Sequence, residues 1–231
     1  MTDQEQIKYE SIVCIYASHA HVNMAVKLKN TLPQTPERKY FIFIANGYDR
    51  SDLDDDRSDL DDDSIVILDV PEGYELLSLK TYQMLKYIHQ LNVDFKNIYK
   101  IDATVYTGET CIKKREKLEN ITKLFFSRST VNHYDGARQC TCGKGGILKW
   151  ARDKNIKNFS GTQQKWYDSL TKAIKIKYFS GKFYTISREF LDFIINDSRI
   201  NRLSQVLSDD WGGCEDMMIG FLWEDYKQHD K

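Results

Sequence analysis

With 231 residues, 41% of them apolar and 29% charged, the chain has the composition of one soluble globular domain. A formal charge of −1, with lysines interleaved among acids, gives no sign of the basic face that a nucleic-acid partner requires. No run approaches the roughly 18 apolar residues of a membrane span, and the first residues lack the basic head and apolar stretch of a signal peptide. Cys14, Cys111, Cys140, Cys142 and Cys214 make an odd set, which argues for reduced thiols and a cytoplasmic location rather than a secreted disulfide framework.

Residues 11–17 (SIVCIYA) form a nearly continuous apolar run, as in a parallel strand buried on both faces. Residues 21–32 place Val22, Ala25, Val26, Leu28 and Leu32 on one helical face, and Pro33 and Pro36 end it. Residues 40–45 predict a second strand, closed by Asn46-Gly47, and residues 64–70 a third. Between them, RSDLDDD is repeated in tandem over residues 50–63. Like charges at this density repel and stay solvated, so a mobile acidic loop is expected rather than a cation site. Residues 79–91 read as an amphipathic helix and 97–105 as a fourth strand. Short apolar strands alternating with helices predict a single α/β domain, residues 1–231, on a mostly parallel sheet.

The second half is less regular. Residues 124–127 suit a strand and 139–146 (QCTCGKGG) a Gly/Cys loop; 159–170 contain KWYDSL. Residues 178–187 (YFSGKFYTIS) precede a helix over 188–196. Glu215-Asp216 opens a further apolar helix after Gly212-Gly213-Cys214.

Two carboxylate positions carry the chemistry. Asp102 ends a predicted strand, where open α/β sheets bind ligands, and a carboxylate there can hold a divalent cation that neutralises a diphosphate. On an extended strand, position 104 would share its face, but the residue is Thr104. Acids in the first turn of a helix favour its dipole, and the two preceding glycines let backbone approach a ligand closely. Asp216 there could serve as general base on a hydroxyl. Ser180 and Gly181 start a turn that could floor a sugar pocket, and Trp166, Tyr167, Phe183, Tyr184 and Trp211 could line one. Cys140-x-Cys142, with His133 nearby, is too sparse for zinc. There is no Walker loop, Gly-x-Gly-x-x-Gly or Gly-x-Ser-x-Gly sequence.

In this order, IVILDVPEGYELLSLKT, YKIDATVYTG, KWYDSL, YFSGKFYTIS and CEDMMIG resemble the successive motifs of the β-1,3-galactosyltransferase and Fringe group, glycosyltransferase family 31, over roughly residues 64–223. The resemblance implies a GT-A fold, a UDP-sugar donor, a glycan or glycoprotein acceptor, a divalent cation (Mn2+ or Mg2+) and inversion at the anomeric carbon. It makes Asp216 the base and Glu215 its neighbour. Asp102, with Ala103 and Thr104, meets the metal or the ribose; Ser180 and Gly181 line the sugar pocket; Lys80 approaches the donor. Trp166 and Tyr167 fall on the acceptor side, with Trp211, Gly212 and Gly213 beside the base. Three departures stand out. The acidic triplet is reduced to Asp102-Ala103-Thr104, which leaves metal dependence open and admits a relative that binds a nucleotide sugar or glycan without turnover. The distal histidine ligand has only His229 as counterpart. The usual Golgi anchor and stem are absent, so the Golgi lumen is the alternative location if an anchor has been removed.

Overall fold

The computed structural model describes residues 7–49, 64–73, 76–105, 133–136, 139–142, 176–196 and 215–229. Strand β1 (Lys8–Tyr16) contains the first apolar run and is buried from Ser11 onward. It pairs in parallel with β2 (Arg38–Ala45) on one side and β4 (Asp94–Asp102) on the other. Helix α1 (Val22–Thr31) crosses from β1 to β2, and Gly47, at φ 76°, turns the chain out of β2. The edge strand β3 (Ile65–Leu68) pairs in parallel with β2 and leads into α2 (Leu77–Gln90), which is followed by β4.

Beyond β4 the sheet changes direction. Strand β8 (Phe183–Ser187) pairs antiparallel with β4 and with β5 (Tyr134–Gly136), giving the order β3-β2-β1-β4-β8-β5. Strands β6 (Gln139–Cys142) and β7 (Ile176–Phe179) form a separate antiparallel ribbon. Helices α3 (Arg188–Asn196) and α4 (Glu215–His229) complete the described elements.

Alternation along each strand divides the core into two. On one face Ile12, Cys14 and Tyr16 of β1 join Ile98 of β4 and Tyr184 of β8 beneath α2, α3 and α4. On the other, Val13, Ile15, Tyr99, Ile101 and Phe183 pack with α1. Fully burying such a side chain contributes about 1.5–3 kcal/mol, so a one-residue slip of β1 or β4 would exchange two complete apolar sets. That register fixes which face receives Lys100 and Asp102: the side covered by α2 and α4. No helix among the described residues is long and apolar enough to cross a membrane.

Two elements differ from the sequence reading. The fourth strand starts earlier and stops at Asp102, and Ala103–Val105 is a 3-10 turn. Asp102 Oδ1 accepts both the backbone N–H (2.8 Å) and the hydroxyl (2.6 Å) of Thr104, which draws the chain off the extended path. Residues 102 and 104 therefore do not share a strand face. Within the stretch read as a Gly/Cys loop, Gln139–Cys142 is a strand held by pairing with β7. The turn read at Ser180-Gly181 is present and divides the stretch 178–187 between β7 and β8, which belong to different sheets. The acidic repeat and the segments 124–127 and 159–170 lie outside the described residues.

Candidate active site

The carboxyl end of β4 meets the turn between β7 and β8. Asp102 N–H donates to Lys182 O at 3.0 Å, and Phe183 N–H donates to Ser180 O at 3.1 Å, closing the turn. Gly181 N–H donates to Asp216 Oδ2 at 3.2 Å. Asp102 and Asp216, 114 positions apart in sequence, thus stand on either side of one short turn. A Cβ on Gly181 would overlap Glu215 Oε1, so a side chain here would displace that carboxylate or the turn.

Glu215, 5% exposed, is held by Lys100 and Tyr184. The Lys100 ammonium donates to Glu215 Oε1 at 2.8 Å and to Gly181 O, while the Tyr184 hydroxyl donates to Glu215 Oε2 at 3.2 Å. Burial pushes the Glu215 carboxyl up to about 7, against the opposing pull of Lys100. Asp216 is partly exposed. Burial also raises its carboxyl above the usual range, opposed by the backbone N–H groups of Gly181 and Met217. It is the better placed of the two to meet a ligand and to take a proton from it.

Lys80 approaches from α2. Its ammonium donates to Ala17 O at 2.5 Å, lies 4.5 Å from the centre of the Tyr16 ring, and has Glu72 at 3.9 Å. Burial lowers its pKa to about 8, with Glu72 opposing. Lys100 stands 4.7 Å from the same ring, so Tyr16 neighbours two ammonium groups.

The structure therefore gathers Lys80, Asp102, Thr104, Ser180, Gly181, Glu215 and Asp216 around the ends of β1 and β4. Two expectations are corrected. Ala103 is 0% exposed within the core and offers no surface to a cofactor. His229 ends α4, thirteen residues after Asp216, about 20 Å away at 1.5 Å per residue. Tyr226, on the helix's last turn, packs at 5.5 Å against His133, whose carbonyl accepts Ser187 N–H beside the Asn97 end of β4. The backbone of His229 is thus toward the opposite end of the sheet from Asp102, away from the candidate cation position. Trp166, Tyr167, Trp211, Gly212 and Gly213 lie outside the described residues.

Sequence reasoning missed Lys100 and Tyr16, and it took Phe183 and Tyr184 for pocket walls, whereas they are 1% and 0% exposed, within the core. The available signal was a lysine between Tyr99 and Ile101 in a strand buried on both faces, which demands a buried partner. A family model described as Galactosyltransferase matches residues 40–231, from β2 to the last residue. A search of curated proteins finds no match.

Proposed function

The chain belongs to the galactosyltransferase family, with a GT-A type fold and glycosyl transfer from a nucleotide sugar to a glycan acceptor, and on that premise we propose an inverting, UDP-sugar-dependent enzyme whose base is Asp216. Asp216 removes the proton of the acceptor hydroxyl. That oxygen forms a bond to the anomeric carbon as the bond from that carbon to the diphosphate oxygen breaks on the opposite face. UDP leaves with the electron pair. A carboxylate raised above its ordinary range is a stronger base at neutral pH, and each Asp216 oxygen, already accepting one backbone N–H, keeps a further lone pair. The observation that supports this reading most is the turn that bonds Asp102 on one side and Asp216 on the other, at the carboxyl end of a central parallel strand.

The described residues do not assemble three metal-ligand side chains at one point. Asp102 Oδ1 is already engaged by Thr104, which leaves Oδ2 for a cation. This fits Mg2+ or Mn2+ held by one protein oxygen, with donor phosphates and water supplying the rest. A cation so held would neutralise charge on the departing diphosphate. The donor sugars to compare are galactose, N-acetylglucosamine, glucose and xylose.

UDP release from these donors, with and without Mn2+, tests the proposal. The wild type should release UDP, and Asp216→Asn should do so at least about a hundredfold more slowly with UDP binding retained. Wild-type rates in the variant would remove Asp216 from the role. A wild type that binds UDP-sugars and releases nothing would favour a binding-only protein, the reading to which the engaged Asp102 Oδ1 lends weight.

A further inference from the structure

Lys100 is the anomalous residue of β4. It is 1% exposed, and withdrawing an ammonium from water costs several kcal/mol unless its protons are taken up. Two of them are, by Glu215 Oε1 and Gly181 O, and the Tyr16 and Tyr184 rings lie 4.7 and 5.4 Å away. An ammonium so enclosed does not reach a substrate. Its bonds instead end on the two segments that flank the candidate base, one on the Gly181 carbonyl and one on the Glu215 carboxylate. Gly181 is held by Lys100 at its carbonyl and by Asp216 at its N–H. Glu215, held by Lys100 and Tyr184, is the residue next to Asp216 in the first turn of α4. The packing leaves no slack, because a Cβ on Gly181 would overlap Glu215 Oε1. Stability alone does not demand this pair, since apolar side chains of similar volume commonly replace a buried ion pair without loss.

We propose that Lys100 is a positioning residue: paired with Glu215, it locks the Gly181 turn to the start of α4 and so sets the direction in which Asp216 presents its carboxylate. The catalytic part of this inference rests on Asp216 being the base; the geometric part does not. Removing the lock should cost turnover rather than donor binding, because displacing a reacting group by about 1 Å can cost about a hundredfold in rate.

The test is the double variant Lys100→Met with Glu215→Gln, which removes both charges at nearly constant volume. Two readouts are followed: steady-state kinetics of UDP release, and hydrogen exchange at the Gly181 amide with the amides of β4 as internal reference. The proposal expects KM for the donor to stay within about threefold, kcat to fall at least about tenfold, and Gly181 to exchange at least about tenfold faster while β4 keeps its protection. Unchanged Gly181 protection overturns the positioning role, whatever happens to kcat. Faster exchange in a protein whose wild type turns over no nucleotide sugar keeps the lock and overturns the transferase reading instead. Should the double variant not fold, Lys100→Met with Glu215→Met carries the same comparison, since replacing both partners by apolar side chains leaves no buried charge unpaired.

Discussion

Gly181 has a carbonyl bonded to Lys100, an N–H bonded to Asp216, and no room for a side chain toward Glu215. Gly181→Ala must therefore either push Glu215 out of its buried pairing or tilt the turn away from α4. Overpacking of this kind costs about 1–3 kcal/mol. We expect that loss in chemical denaturation, together with a fall in UDP release of at least about tenfold. An alanine variant with wild-type midpoint and rate would show that the turn yields freely and that its fit to Glu215 is immaterial. Gly181, Asp102 and the Glu215-Asp216 pair stand out in the sequence because local rules expose them: a turn glycine, an acid ending a strand, acids opening a helix. Lys100 does not, since its meaning comes from a carboxylate 115 positions away. His229 came from the resemblance alone, as the one counterpart to the family's distal histidine, and its backbone is about 20 Å from that of Asp216 once the helical rise is applied.

At the scale of elements, strand β7 is caught between two glycines. A Cβ on Gly136 of β5 would overlap the Phe179 side chain, and one on Gly220 of α4 would lie 2.7 Å from Lys177 O and 3.0 Å from Tyr178 Cα. The Tyr134 hydroxyl fixes the same place by accepting Phe179 N–H at 3.0 Å. The ribbon is thus held against α4 by close backbone approach, and β7 runs directly into the Gly181 turn. Gly220→Ala, which meets backbone rather than a flexible side-chain end, should destabilise by about 1–3 kcal/mol. Hydrogen exchange should show β6 and β7 losing protection before β1 and β4; equal loss in all four strands would mean that the ribbon is not the part released. The elements that sequence makes legible are those whose own pattern suffices. Strands β1 to β3 appear as apolar runs, α1 and α2 as helical periodicity, and α3 at its observed bounds of Arg188–Asn196. Strand β6 was hidden because Gln-Cys-Thr-Cys has little strand character and is extended through its pairing with Ile176–Phe179. The end of β4 was hidden by a side-chain bond from Asp102 to Thr104 that competes with the extended backbone.

For the whole molecule, the buried charges give stability an unusual dependence on pH. Glu215 is raised from 4.5 to about 7, chiefly by burial, so the folded chain holds this proton more tightly than the unfolded chain. Its contribution is complete below about pH 4.5 and is lost as pH rises through about 7. Asp216, also raised by burial, acts in the same direction. Lys80 does the opposite. Lowered from 10.5 to about 8, again chiefly by burial, it contributes stability that is complete above about pH 10.5 and lost as pH falls through about 8. Thermal midpoints should therefore fall from pH 5 to about 7, pass through a minimum between about 7 and 8, and recover toward pH 9. The series ends there because burial raises the Cys14 thiol from its ordinary value of 9.0, and the Tyr16 and Tyr184 phenols well above 10, so that each adds its own loss at higher pH. Each unit of pKa difference is worth about 1.4 kcal/mol, and about 1 kcal/mol moves the midpoint of a chain this long by roughly 2–4 °C. The acid limb should accordingly span several degrees. Glu215→Gln should flatten the fall between pH 5 and 7, and Lys80→Met the recovery above 8, each leaving the other limb in place. A midpoint that instead peaks near neutrality, or a Glu215→Gln variant that keeps the wild-type slope below pH 7, would mean that the carboxylate beside Lys100 is ionised across the range and that the pair is worth more than the burial that opposes it.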